Sequence, residues 1–103
     1  MYRIRLFCNA GMSTSILVNR MIKAAEEQGI DVDIEAYSVR EVDDQLSESD
    51  CILLGPQVSF MKKDVLKKAE PYNIPVADIA SIDYGFSDGA KVLKQAISLI
   101  ENK

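Results

Sequence analysis

Residues 2–8, YRIRLFC, are an apolar run interrupted by two arginines, and the run predicts a first strand ending at Cys8. Arg3 and Arg5 sit awkwardly in a buried strand and are expected to snorkel to the bottom edge of a sheet. From Ser13 the period changes: Leu17, Val18, Met21, Ile22 and Ala25 fall on one helical face, with Gly29 as the stop. Residues 31–37, DVDIEAY, set Val32, Ile34 and Ala36 against Asp33, Glu35 and Tyr37, the pattern of a half-buried edge strand. Ser38 to Glu41, SVRE, reads as a capping box, and Val39, Val42 and Leu46 give a short helix its apolar stripe. Residues 51–54, CILL, are continuously apolar and closed by Gly55-Pro56, so they predict a strand buried on both faces. Val58, Met61, Val65, Leu66 and Ala69 mark a third helix that should stop before Pro71. Residues 74–79, IPVADI, predict a short fourth strand with Pro75 near its start. Residues 83–89, DYGFSDG, then read as a connection to a last helix carrying Val92, Leu93, Ala96, Ile97 and Ile100, capped by Ser87 or Asp88.

The order is βαβαβαβα. Such alternation implies an α/β fold: a parallel sheet with right-handed crossovers and helices on both faces. The expected strand order is 2-1-3-4 in a single domain spanning residues 1–103. That order puts the topological switch point between the first and third strands. Ligands of such sheets bind there, at the carboxyl ends of the strands, and Cys8 ends the first strand.

Composition narrows the chemistry. The 103 residues carry a formal charge of -4 and no basic run, which argues against nucleic acid as a partner. No apolar stretch approaches the roughly 18 residues of a membrane span, so no direct membrane insertion is expected. MYRIRLF lacks the longer apolar stretch of a signal peptide, so a cytoplasmic location is expected, with both cysteines as thiols. Histidine is absent. That excludes Cys–His and Ser–His pairs within the chain and removes the commonest transition-metal ligand. No metal and no cofactor are expected. The chemistry is left to a thiol, hydroxyls, carboxylates and the backbone.

The stretch after Cys8 offers what such chemistry needs. Asn9, Ala10, Gly11, Met12, Ser13 and Thr14 include no charge and no proline, so each keeps its backbone N–H. A loop of this kind running into a helix can aim several N–H groups at one anion, and the helix dipole adds positive potential. Ser13, Thr14 and Ser15 add hydroxyl donors. Thiols at helix N-termini ionise more readily than free cysteine, and donors that suit a thiolate also suit a phosphate on the same sulfur. The competing reading is a small core cysteine followed by an ordinary Ser/Thr N-cap. Cys51, inside CILL, reads as core packing. Gln57 in LGPQ is either a donor to a bound phosphate or part of a plain turn. Asp83 and Tyr84 are placed to reach the site, while Asp88 reads as a helix cap. Lys62, Lys63, Lys67 and Lys68 read as a solvated helix face.

FCNAGMSTS, LLGPQVSFM and YGFSDG, in this order and spacing, resemble the enzyme IIB component of the sugar phosphotransferase system, in its lactose/cellobiose (chitobiose) family, over essentially the whole chain. The resemblance implies a phosphoryl carrier. Cys8 would take a phosphoryl group from a phosphohistidine on a IIA partner. It would pass that group to a sugar bound by the membrane transporter IIC, such as the β-linked disaccharides cellobiose, chitobiose or lactose. Residues Asn9 to Ser15 would hold the phosphate, mainly through backbone N–H groups. Donor and acceptor must both reach Cys8, so the docking surface is expected around it, with Met12, Ile16, Gln57 and Tyr84 as candidates.

The fold and the cysteine loop also resemble the low-molecular-weight tyrosine phosphatases, which gives an alternative function as a cysteine phosphohydrolase. Their loop places an arginine six residues after the cysteine, where this chain has Thr14. A guanidinium binds phosphate bidentately and supports hydrolysis, so its replacement favours holding a phosphoryl group over releasing it. A thiol redox role would need Cys51 within reach of Cys8.

Overall fold

The computed structural model describes residues 1–9 and 14–103. Four strands, β1 (Tyr2–Cys8), β2 (Val32–Ser38), β3 (Cys51–Leu54) and β4 (Val76–Asp78), form one parallel sheet in the order β2-β1-β3-β4. This is the expected topology. The helices are α1 (Thr14–Gln28), α2 (Val42–Gln45), α3 (Lys62–Ala69), α4 (Ser81–Gly85) and α5 (Gly89–Glu101). No helix among the described residues is long and apolar enough to cross a membrane.

Strand alternation divides the core into two layers. Ile4, Leu6, Cys51 and Leu53 pack under α1 and α5 with Leu17, Met21, Val92, Leu93 and Ala96. Phe7, Ile52 and Leu54 face the other way, onto Val42, Leu46, Val58, Val65 and Ala69 of the α2–α3 side. β3 is buried at all four residues because both layers cover it. β2 is covered fully on neither face. Ile34 is buried beneath α1, whereas the opposite side has only Tyr37, tilted against Phe7 at 6.1 Å between ring centroids, and charged residues.

Those charges explain the two arginines. Arg3 lies at the bottom of β1 and binds Asp50, with Nη2 to Oδ1 at 3.0 Å and a further bond from Arg3 N–H to Oδ2 at 2.9 Å. Burial opposes ionisation of Asp50, but the hydrogen bonds and charge of Arg3 outweigh it and hold the carboxyl below its usual range. Arg5 departs from expectation. It is buried, and it crosses under β2 to Asp33 Oδ2 at 3.1 Å and Glu35 Oε2 at 3.7 Å. Neighbouring carboxylates on the half-covered strand let its charge stay inside without reaching the bottom edge.

Helix ends follow their local chemistry. Ser38 and Glu41 form the expected capping box, here opening a 3₁₀ turn, Val39–Glu41, ahead of α2. Three helical segments close in the same Schellman arrangement. Gly29 follows α1 with φ +68°, Asn73 follows the 3₁₀ turn Glu70–Tyr72 with φ 56°, and Ser87 follows α4 with φ 50°. In each, the next residue's N–H reaches back five residues: Ile30 to Ala25, Ile74 to Ala69, Asp88 to Asp83.

Several expectations are corrected. The third helix stops before Pro71 as expected, at Ala69, but its regular part begins only at Lys62, because Pro56–Met61 form 3₁₀ turns. Leu66 is 41% exposed, on the outer side of α3. β4 is only three residues long. Residues 83–85, the start of the stretch expected to be a connection, belong to α4 (Ser81–Gly85). Of the two proposed caps of α5, Asp88 accepts from Lys91 N–H at 3.2 Å, while Ser87 is the left-handed closing residue of α4.

Candidate functional site

Cys8 is the last residue of β1, paired in register with Ser38 of β2, while Phe7 before it pairs with Leu54 of β3. Gly55 N–H continues that pairing to Phe7 O at 2.9 Å. The thiol therefore sits at the carboxyl end of the sheet at the β1/β3 switch point, as expected. Alternation along β1 aims Cys8 to the side of Ile4 and Leu6, which is the α1 side. There its Sγ lies 3.4 Å from Thr14 Oγ1, in the first turn of α1, with both residues buried.

α1 is long enough, at 15 residues, to carry a full macrodipole, and no acidic residue occupies its first turn to neutralise the positive end. Asn9 and Ser15 are exposed on either side of the buried Cys8–Thr14 pair. Ala10, Gly11, Met12 and Ser13, expected to bind phosphate, and Met12 as a docking residue, lie outside the described residues.

Two other candidates, Gln57 and Tyr84, stand beside Gly55. Gln57 Oε1, a ring carbon of Tyr84 and the Phe7 carbonyl stand 2.8, 3.4 and 3.5 Å from where a Cβ on Gly55 would lie. A side chain at this turn would meet the Gln57 amide, while Tyr84 stands at ordinary contact distance from the same point. Asp83 is ion-paired with Lys91 at 3.3 Å. Of the four lysines of α3, Lys62 pairs with Asp78 at 3.6 Å and Lys68 with Asp43 at 3.2 Å.

Cys51 is separate from this site. It pairs with Ile4, four residues down β1 from Cys8, about 13 Å at the usual strand rise. A disulfide needs Cα atoms within about 7 Å, so Cys51 cannot resolve an oxidised Cys8 without rebuilding the sheet. Burial pushes its thiol up to about 12.

Sequence reasoning missed part of the rim. Ile16, Phe60, Ile82 and Phe86 are 56%, 81%, 64% and 73% exposed, and only Ile16 was expected there. Each belongs to a segment that leaves the sheet at a strand's carboxyl end. Arg20 fastens one of them: its Nη1 donates to Phe86 O at 3.1 Å, tying the turn after α4 to α1. The available signal was YGFSDG itself, with Phe86 between residues that favour turns.

A sulfur at a strand end, beside the N-terminus of a long helix, suits acceptance of an anionic group. Comparison with known proteins identifies the family. The family described as PTS system, Lactose/Cellobiose specific IIB subunit, matches residues 3–95. The chain is 40% identical, over the full length of both, to the PTS system oligo-beta-mannoside-specific EIIB component of Bacillus subtilis (strain 168). It is 48% identical, over 94% of each, to the PTS system galactose-specific EIIB component of Lactococcus lactis subsp. cremoris (strain MG1363). Its fold resembles the solution structure of the cellobiose-specific phosphotransferase IIB component protein from Borrelia burgdorferi, with a TM-score of 0.83 and 41% identity, covering 99% of this chain and 94% of that one. The chain thus belongs to the lactose/cellobiose-specific IIB family of the sugar phosphotransferase system.

Proposed function

We propose that Cys8 is the residue that carries the phosphoryl group, receiving it from a phosphohistidine of a IIA protein and delivering it to a sugar held by a membrane IIC transporter. The observation that carries this reading is the Cys8–Thr14 contact at the amino end of α1, where a nucleophilic sulfur meets the positive end of a helix dipole. In the proposed step the thiolate attacks phosphorus in line with the departing imidazole, and helix and loop N–H groups in Asn9 to Ser15 neutralise the equatorial oxygens. Docking supplies the proximity. The rim of Ile16, Phe60, Ile82 and Phe86, with Gln57 and Tyr84 inside it, is the surface for both partners in turn. A cytoplasmic location follows from the same role, with the membrane contributed by the transporter.

The relatives carry oligo-beta-mannoside, galactose and cellobiose in their names, so kinship alone fixes no single sugar. A β-linked disaccharide such as cellobiose, chitobiose or lactose is the substrate class we favour. Intact-protein mass spectrometry after mixing with a phosphorylated IIA of this family tests the carrier step. One phosphoryl group should appear on the protein and be absent from Cys8→Ser. Steady release of inorganic phosphate without a phosphoprotein would instead mark a phosphohydrolase.

A further inference from the structure

We propose that Thr14 is a positioning residue for phosphoryl transfer that acts on the sulfur of Cys8, its hydroxyl serving the leaving thiolate more than the phosphoryl group. The proposal rests on the reading that Cys8 is the acceptor. Thr14 Oγ1 and Cys8 Sγ are 3.4 Å apart, and Thr14 is fully buried with Cys8 only 1% exposed, so water does not compete for the contact. Thr14 belongs to a 15-residue helix whose packing on the sheet fixes its place, and a β-branched residue in a helix has few side-chain rotamers. The hydroxyl is held at the sulfur by the helix.

The chemistry sets the direction of this bond. A thiolate has no proton to give, so the hydroxyl must donate to it, forming a charge-assisted hydrogen bond in a poorly solvated place. In the forward step a sulfur lone pair forms the S–P bond while the P–N bond breaks, and that electron pair returns to the imidazole nitrogen. The hydroxyl proton stays on Thr14 throughout. As the S–P bond forms, sulfur loses its charge and the hydrogen bond weakens. Thr14 therefore stabilises the unphosphorylated thiolate more than the phosphocysteine. It makes sulfur a better leaving group and raises the tendency of the phosphoryl group to move on.

Two near-isosteric variants separate this from packing. Thr14→Val keeps the shape and removes the donor; Thr14→Ser keeps the donor and removes a methyl. Each is mixed with phosphorylated IIA, and intact-mass spectra give the equilibrium share of phosphoryl on Cys8 and the rate of return to excess unphosphorylated IIA. In Thr14→Val the share should move toward phosphocysteine about tenfold and the return should slow about tenfold, the scale of one charge-assisted hydrogen bond against a neutral one. Thr14→Ser should behave as wild type, and thermal melts should show both folded. A valine variant with wild-type partition and return overturns the proposal, as does a serine variant as altered as valine, which would assign the effect to packing. A wild-type protein that takes no phosphoryl group at all overturns the carrier reading itself, and this proposal with it.

Discussion

Cys51 shows how far one residue's surroundings can set its chemistry. It lies fully buried in the middle strand, and desolvation, aided by nearby Asp50, pushes its thiol up to about 12. The unfolded chain releases that proton near pH 8.5, so above this value the unfolded state binds fewer protons than the folded one. Stability should therefore fall as pH rises from about 9 toward 12, at about 1.4 kcal/mol per pH unit from this group. Urea unfolding at pH 8, 9 and 10 should show stability falling in the wild type, with the slope steepening toward that value above pH 9, and a shallower fall in Cys51→Ala; equal slopes would contradict it. This environment was legible in the sequence, because an unbroken CILL run closed by Gly-Pro has only a doubly covered strand to occupy. The contact between Thr14 and Cys8 was not legible. It depends on the rotation of α1 about its axis, which the apolar stripe fixes only once the helix is packed.

Among the elements, α1 and α5 cross most tightly, and Gly89 is the reason they can. A Cβ on Gly89 would stand 2.4 Å from the backbone carbon of Arg20 and 2.6 Å from both the Arg20 oxygen and the Met21 nitrogen. Backbone cannot rotate away as a side chain can, so Gly89→Ala must push the helices apart. The cost should be about 3 kcal/mol, the upper part of the range for overpacking, and denaturant melts should show it. Ala90→Gly, one residue on and exposed, should cost about 1 kcal/mol or less. The same displacement would move Arg20 from Phe86 O, so the rim should loosen with the crossing. Sequence periodicity gave both helices their buried faces, since Leu17, Val18, Met21, Val92, Leu93 and Ala96 all lie in the core. It missed α4, whose five residues include no buried side chain and so leave no apolar stripe to read.

At the scale of the molecule, alternation of strand and helix determined the topology, and with it the place of Cys8. It did not disclose the apolar rim, because an exposed Phe60 or Ile82 looks the same in a sequence as a buried one. Phe60 falls within the run that marked the third helix, between the buried Val58 and the half-buried Met61. If the rim docks the phosphoryl donor, charge placed there should weaken binding and leave the chemistry intact. Ile82→Asp should raise the KM for phosphorylated IIA about tenfold, the loss expected for a central apolar contact, with kcat changed less than about twofold. Ile82 is 64% exposed, so stability should move by no more than about 0.5 kcal/mol. Tyr72→Asp provides the control. Tyr72 is 51% exposed, but it lies between α3 and β4, near the amino ends of the strands and away from Cys8. It should transfer as wild type. An unchanged KM in Ile82→Asp, or an equal rise in Tyr72→Asp, would mean that exposed apolar residues at the carboxyl edge do not choose the partner. Recognition would then fall to polar groups beside the end of β1, Gln57 and Tyr84, which stand next to Gly55.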